Sequence, residues 1–273
     1  MPWILVLMVV AIAFIFYVLV YVSANAQIQA VKSGTIPAPA GGTAAMEEAL
    51  HMLRPDQIQS FGVGLVSGLG SIMLIVFAAS HVGTEFGWGT LRTLLAHGTG
   101  RVAFLGSKIL SLALFATVFV LFGTLAAVVA SYVVSAVAGY DTSGIDLAKI
   151  ASAAGRGLYT FFPYMALAAV IALWSRSAGA GIAAGLVVFF AEGLVAGILV
   201  QLNRDYATIV NYGLSRNVAA VTRQTVVSTG STPQGAASTL PDPTQAAIVL
   251  AVYTALFIAI AFWRLRTRDV TLS

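Results

Sequence analysis

An all-α fold of six membrane-crossing helices is what this sequence predicts, and three observations carry the prediction. Charged residues make up 9% of the chain and apolar residues 59%, against about 25% charged in a soluble globular domain, so a water-soluble protein is excluded. The apolar residues gather into runs of about 20 or more, the length that crosses about 30 Å of hydrocarbon at 1.5 Å per residue. Short polar links, rich in Gly, Pro, Ser and basic residues, separate these runs, as turns between spans require.

Residues 4–22 form the first run, uncharged throughout. The small residues Ala24-Asn25-Ala26 resemble a signal-peptidase site, but no Lys or Arg precedes the run and it exceeds the roughly 7 to 15 residues of a signal core, so a span is expected. Residues 24–58 are polar, with a short helix expected from Thr43 to Arg54: Met46, Ala49, Leu50 and Leu53 make one apolar stripe and Pro55 ends it. Glu47-Glu48 resembles the start of an EExxxR protease motif, but Met52 stands where the Arg belongs. A solvated helix face is the expectation there.

The second span covers 61–82, and its Gly64 and Gly68 make a GxxxG that lets another helix approach closely. The third covers 105–138, long enough to tilt or project beyond the bilayer. The fourth runs over 156–174 with a kink expected at Pro163, and after the tight link Ser175-Arg176-Ser177 the fifth runs over 178–200, with Gly181 and Gly185 repeating the small-residue theme. Residues 201–244 form the largest polar segment, expected as a large outer loop between spans five and six with a helical first half, before the sixth span at 246–263. The whole chain, 1–273, reads as a single transmembrane domain.

The net charge of +4 is a remainder of 14 basic and 10 acidic residues spread thinly, which points to a lipid bilayer rather than nucleic acid as partner. No cysteine occurs, removing disulfides, thiolate catalysis and cysteine-bound metals. Arg92, Arg101, Lys108, Arg176, Arg264, Arg266 and Arg268 crowd into short links and the tail. The other basic residues are spread over longer segments, so the positive-inside rule places both termini in the cytoplasm of a cell-membrane protein.

With that orientation the stretch from Glu85 to Lys108, EFGWGTLRTLLAHGTGRVAFLGSK, becomes the first cytoplasmic loop. Leu91, Leu94 and Leu95 stand at i, i+3 and i+4, which gives a short surface helix with one apolar face, ended by Gly98. In order, Glu85, Gly89-Thr90, Leu91, Leu94-Leu95, Gly98, Arg101 and Lys108 resemble the membrane subunit of an ABC exporter of the type 2 class. That resemblance implies a coupling helix docked into a separate cytoplasmic ATPase subunit. It further implies a second permease subunit, identical or different, and ATP and magnesium held by the partner and not by this chain. Carried over in this way, Glu85, Gly89, Thr90, Arg92, Leu94 and Arg101 belong to the ATPase contact, whereas Arg101 and Lys108 read by themselves are headgroup anchors. In that family a charged amphipathic helix precedes the first span; this sequence starts directly at Met1-Pro2-Trp3, so either that element is missing here or the start is placed too late.

Glu192 lies about 12 Å inside the fifth span, a depth at which a carboxylate faces a cavity, a partner or a pathway. It is a translocation-path candidate, with a paired glutamate that stabilises packing as the alternative. His51, His81 and His97 never form an HExxH, so no metal site is expected. Gly106-Ser107-Lys108 has the wrong order for a phosphate-binding loop; no catalytic residue is expected, and ATP hydrolysis falls to another chain. The rival class is an intramembrane serine protease or another membrane enzyme without an ATPase. Ser71 follows Gly70, but the sixth span holds no His. No internal repeat supports a secondary transporter.

Overall fold

In the computed structural model the described residues are 2–37, 42–87, 100–140, 142, 144–222 and 240–267, with side chains described for all of these but 86, 87 and 204. Every regular element among them is helical. Among the described residues six helices are long and apolar enough to cross a membrane, which makes this an all-α, multi-pass membrane protein.

The first of them, α1 (Pro2–Lys32), opens with a proline whose fixed φ suits a first turn. It continues ten residues past the apolar run because nothing between Ser23 and Lys32 breaks a helix. Gly34, at φ +73°, then ends it. Thr35 N–H reaches Ala30 O at 2.9 Å and Gly34 N–H reaches Val31 O at 3.1 Å, the pair of bonds that satisfies the last carbonyls of a helix closed by a left-handed residue. The short helix α2 (Ala44–Met52) follows. A 3₁₀ turn (Pro55–Gln57) and a π turn (Ile58–Gly62) then lead into α3 (Val63–Gly87).

The 38 residues of α4 (Arg101–Ala138) reach about 57 Å at 1.5 Å per residue, well beyond the hydrocarbon thickness. It too closes on a left-handed glycine, Gly139 at φ +70°. Asp146 caps α5 (Leu147–Ser175) by accepting the Lys149 N–H at 3.1 Å, and Pro163 sits inside this helix without ending it. Arg176, at φ 55°, makes the turn into α6 (Ala178–Leu202), whose cap Ser177 accepts the Ala180 N–H at 3.3 Å. The segment after α6 then folds as a 3₁₀ turn (Arg204–Tyr206), a single turn α7 (Ala207–Val210) and α8 (Leu214–Thr222). The last helix, α9 (Pro243–Thr267), starts on a proline capped by Asp242, which accepts the Thr244 N–H at 2.9 Å.

Two compact units divide the chain, and the division falls within α3, α4 and α5. Unit 1 takes the residues up to Gly70 and Val118–Gly157. Its core joins Tyr17, Ala24 and Ile28 of α1 to Leu50 and Leu53 beside α2 and to Ala127, Ala130 and Val134 of α4. Ser131 donates to Leu53 O at 2.6 Å and the Arg54 guanidinium lies over the Tyr140 ring at 5.0 Å, so both polar ends of this packing are tied down.

Unit 2 takes the described residues within Ser71–Thr117, Leu158–Arg223 and Ser228–Ser273. One cluster brings Ile75 and Ala79 of α3 against Tyr164, Ala168 and Ala172 of α5, Leu214, Ala220 and Val221 of α8, and Ala246 and Leu250 of α9. A second holds Val82, Phe104, Leu105, Val170, Leu173, Ala261 and Leu265. The alanines and glycines matter because helix association in lipid depends on close backbone approach rather than on a hydrophobic force. A Cβ at Gly181 would lie 2.6 Å from Ala172 Cβ and 2.8 Å from Ala168 O, and one at Gly185 would lie 2.7 Å from Ile75 Cγ2. The glycine face of α6 is thus used inside unit 2. Its opposite face leaves Val187, Phe190, Leu194 and Ile198 exposed, as a lipid-facing or partner-facing helix does.

Candidate functional site

Three residues of α3 at helical spacing, Phe77, His81 and Glu85, face a matching row on α4, Phe115, Ser111 and Lys108. The numbers run in opposite directions because the two helices are antiparallel, and each step of one turn makes a different contact. The Phe77 and Phe115 rings lie 4.0 Å apart between centroids. His81 Nε2 is 2.7 Å from Ser111 Oγ. Lys108 Nζ donates to Glu85 Oε1 at 2.5 Å, with the two side chains 14% and 20% exposed. The ladder therefore passes from aromatic through polar to ionic as it nears residues 88–99. A charge-assisted bond between largely buried groups is stronger than one in water, so the helix ends that carry this connection are clamped together.

Other contacts bring further helix ends to the same level of unit 2. Arg101 Nη1 donates to Leu265 O at 3.2 Å and Arg266 O at 3.4 Å, placing a cation where the carbonyls of α9 run out of helical partners. The Arg264 guanidinium lies 4.3 Å from the centre of the Trp174 ring at the end of α5. A Cβ at Gly83 would lie 2.5 Å from Ala178 N, so the end of α3 touches the start of α6 with no side chain between. Arg101, Lys108, Arg176, Arg264 and Arg266 thus share one end of the unit with a single described acid, Glu85.

Glu192 serves a different part of the unit. Its Oε1 accepts the Ser215 N–H at 3.1 Å, at the N-terminus of α8, where orphan amides and the helix dipole favour an anion. A Cβ on Gly213 would run into this carboxylate. Asn217, fully buried, donates to Asn211 O at 2.8 Å and Gly213 O at 2.6 Å, and Arg216 Nε donates to Asn211 Oδ1 at 2.6 Å. Burial pulls the Arg216 guanidinium below its ordinary pKa. These bonds, with Tyr253 Oη donating to Tyr212 O at 3.0 Å, fix the segment of α7 and α8 onto α6 and α9.

A family profile described as protein of unknown function, DUF2705, matches residues 60–271. The chain belongs to the DUF2705 family. No curated protein and no solved structure matches it. The part of this DUF2705 chain that carries the match begins in the π turn before α3 and takes in the α3–α4 pair, Glu192 and α9, whereas α1 and α2 precede it.

Of the residues singled out in the sequence, the DUF2705 structure places Glu85 in the ion pair with Lys108 and Arg101 on the carbonyls of α9. Gly89, Thr90, Arg92 and Leu94 lie outside the described residues, as does the expected short helix they belong to. Gly181 and Gly185 pack against α3 and α5, while nothing lies within 4 Å of a Cβ built on Gly68. Gly64 lies on α3 one turn earlier. Sequence reasoning missed the partners of His81, Lys108 and Glu192. The signal available for Glu85 and Lys108 was two opposite charges at the facing ends of adjacent spans, which is also the pattern of unpaired interfacial charges.

Proposed function

We propose that this chain is the membrane subunit of an ATP-driven exporter of the ABC type 2 class, acting as a dimer with a cytoplasmic ATPase docked on residues 85–101. The observation that carries this reading is the ordered motif Glu85, Gly89-Thr90, Leu94-Leu95, Gly98, Arg101 between spans two and three, together with the ion-paired antiparallel helices that hold its two ends. A loop fixed at both ends to long rigid helices transmits a push to them as a lever, which a loop on independent helices does not. Arg92 and the basic residues at this end of unit 2 favour an acidic partner surface. Under this reading both termini are cytoplasmic, the ATP and magnesium are bound by the partner, and the substrate is hydrophobic or amphipathic, moved by alternating access.

Glu85 carries two roles in this scheme: it holds Lys108 and stands at the entrance to the loop. For Glu192, the bond from the Ser215 N–H supports the packing alternative, docking of α8. The test is affinity purification of the tagged chain from native membranes, with vanadate-sensitive ATP hydrolysis as the readout. ATPase activity should co-purify with the parent and with Glu192→Gln, and should fall away in the Glu85→Ala/Arg92→Ala double variant. Retention of the ATPase by the double variant, or its absence from the parent, would end the exporter reading.

A further inference from the structure

Within unit 2, α3, α4, α5 and α9 leave a cavity of about 60 Å³ between them. Its walls include Leu105, Leu112, Met165, Val170 and Ile258, and only two of the lining side chains carry a polar atom, Lys108 and Thr254. The Thr254 hydroxyl donates to Leu250 O at 2.8 Å, so its hydrogen is spent within α9. By the measure in which one water needs about 10 to 15 Å³, the space is several waters large, yet it offers too few polar partners to hold them. An apolar cavity of this kind stays dry or takes an apolar guest.

Lys108 sets the chemistry at one side. An ammonium has three N–H donors, and Glu85 accepts from one of them at 2.5 Å. Lys108 stands two turns into α4 from Arg101, about 10 Å along the axis, at the end of unit 2 where Arg101, Arg176, Arg264 and Arg266 outnumber Glu85. Trp174 and Trp263 are 48% and 57% exposed at the same end, as residues at a membrane–water boundary are. A guest drawn from a bilayer would meet positive charge beside an apolar chamber.

We propose that this cavity holds part of an acyl chain of an anionic phospholipid whose phosphate is bound by Lys108. The assignment rests on the membrane placement of the helices and is independent of the exporter reading. One basic residue near a membrane surface is worth about 1 kcal/mol toward an anionic headgroup, which is about a fivefold preference.

The full-length chain is purified in mild detergent, delipidated by extended washing, and returned to nanodiscs of phosphatidylglycerol or phosphatidylcholine. Retained lipid is then counted by native mass spectrometry after a second wash. The parent should keep about one phospholipid per chain, with phosphatidylglycerol favoured about fivefold over phosphatidylcholine. Ala169→Leu on α5 and Ala113→Leu on α4 both fill the chamber from the wall and should lose that lipid while keeping a monodisperse elution profile. Two positions on different helices guard against one of them misfolding. Lys108→Gln should retain a lipid but lose the headgroup preference, and Lys108→Arg should restore it. No lipid retained by the parent, equal retention in both chamber-filling variants (a surface lipid shell only), or a preference unchanged in Lys108→Gln would each overturn the proposal.

Discussion

Removing one partner of the Glu85–Lys108 pair should cost more than removing both. At 2.5 Å and an effective dielectric near 20, the gross attraction is about 6 to 7 kcal/mol, much of it offset by the desolvation of two groups that are 14% and 20% exposed. Glu85→Gln or Lys108→Met leaves the other charge unpaired between α3 and α4. Because some exposure remains, the cost should fall at the low end of the range for buried pairs, about 3 kcal/mol. The double variant leaves no stranded charge and should sit within about 1 kcal/mol of the parent, giving a coupling of about 5 kcal/mol between the sites. At about 2 to 4 °C per kcal/mol for a chain of this size, each single variant should unfold about 6 to 12 °C lower in nanodiscs. The charge swap Glu85→Lys/Lys108→Glu should recover most of that loss. Strictly additive losses, or single variants within about 1 °C of the parent, would refute the clamp and leave two independently solvated charges.

The glycine contacts predict opposite outcomes at two positions. Gly181→Ala, with its new methyl at 2.6 to 2.9 Å from three neighbours, should lower stability by about 1 to 3 kcal/mol in a thermal scan. Gly68→Leu, at an exposed position where a Cβ meets nothing within 4 Å, should leave unfolding of the single chain unchanged and lower the dimer fraction in light scattering if α3 forms the subunit contact. Glu192→Leu deletes the acceptor for the Ser215 N–H and should expose residues 203–222 to limited proteolysis, whereas Glu192→Gln keeps a carbonyl there and should protect them. Asp146, whose carboxyl is held below its ordinary 3.8 chiefly by the Lys149 N–H, favours the folded state when ionised. That contribution is complete above the unfolded pKa and is lost as pH falls through the lower folded value. Amide exchange at the start of α5 should rise below about pH 4 in the parent and vary less with pH in Asp146→Asn.

Six spans were legible from composition and run length alone, because a bilayer demands that each crossing satisfy its own backbone within about 20 apolar residues. The ends of the helices were less legible, and for a related reason. Hydropathy marks the length that lipid must cover, whereas a helix continues into water until a residue stops it. So α1 runs on to Lys32, halted by Gly34, while α5 starts nine residues before the expected span, at the Asp146 cap. The short helix before Pro55 was visible in both its apolar stripe and its breaker, and α2 covers most of it.

By itself, then, the sequence determined the class of solvent around this chain, the number of crossings and the apolar and polar faces of the short helices. The tertiary structure alone decided that Glu85 meets Lys108, that His81 meets Ser111 and that Glu192 docks the N-terminus of α8. Each successive residue turns about 100° around a helix axis, so a charge near the end of an apolar run faces lipid, water or a neighbour according to rotation and register. Those are set by which alanines and glycines on α3, α5 and α6 come into contact, a choice made between segments far apart in the chain.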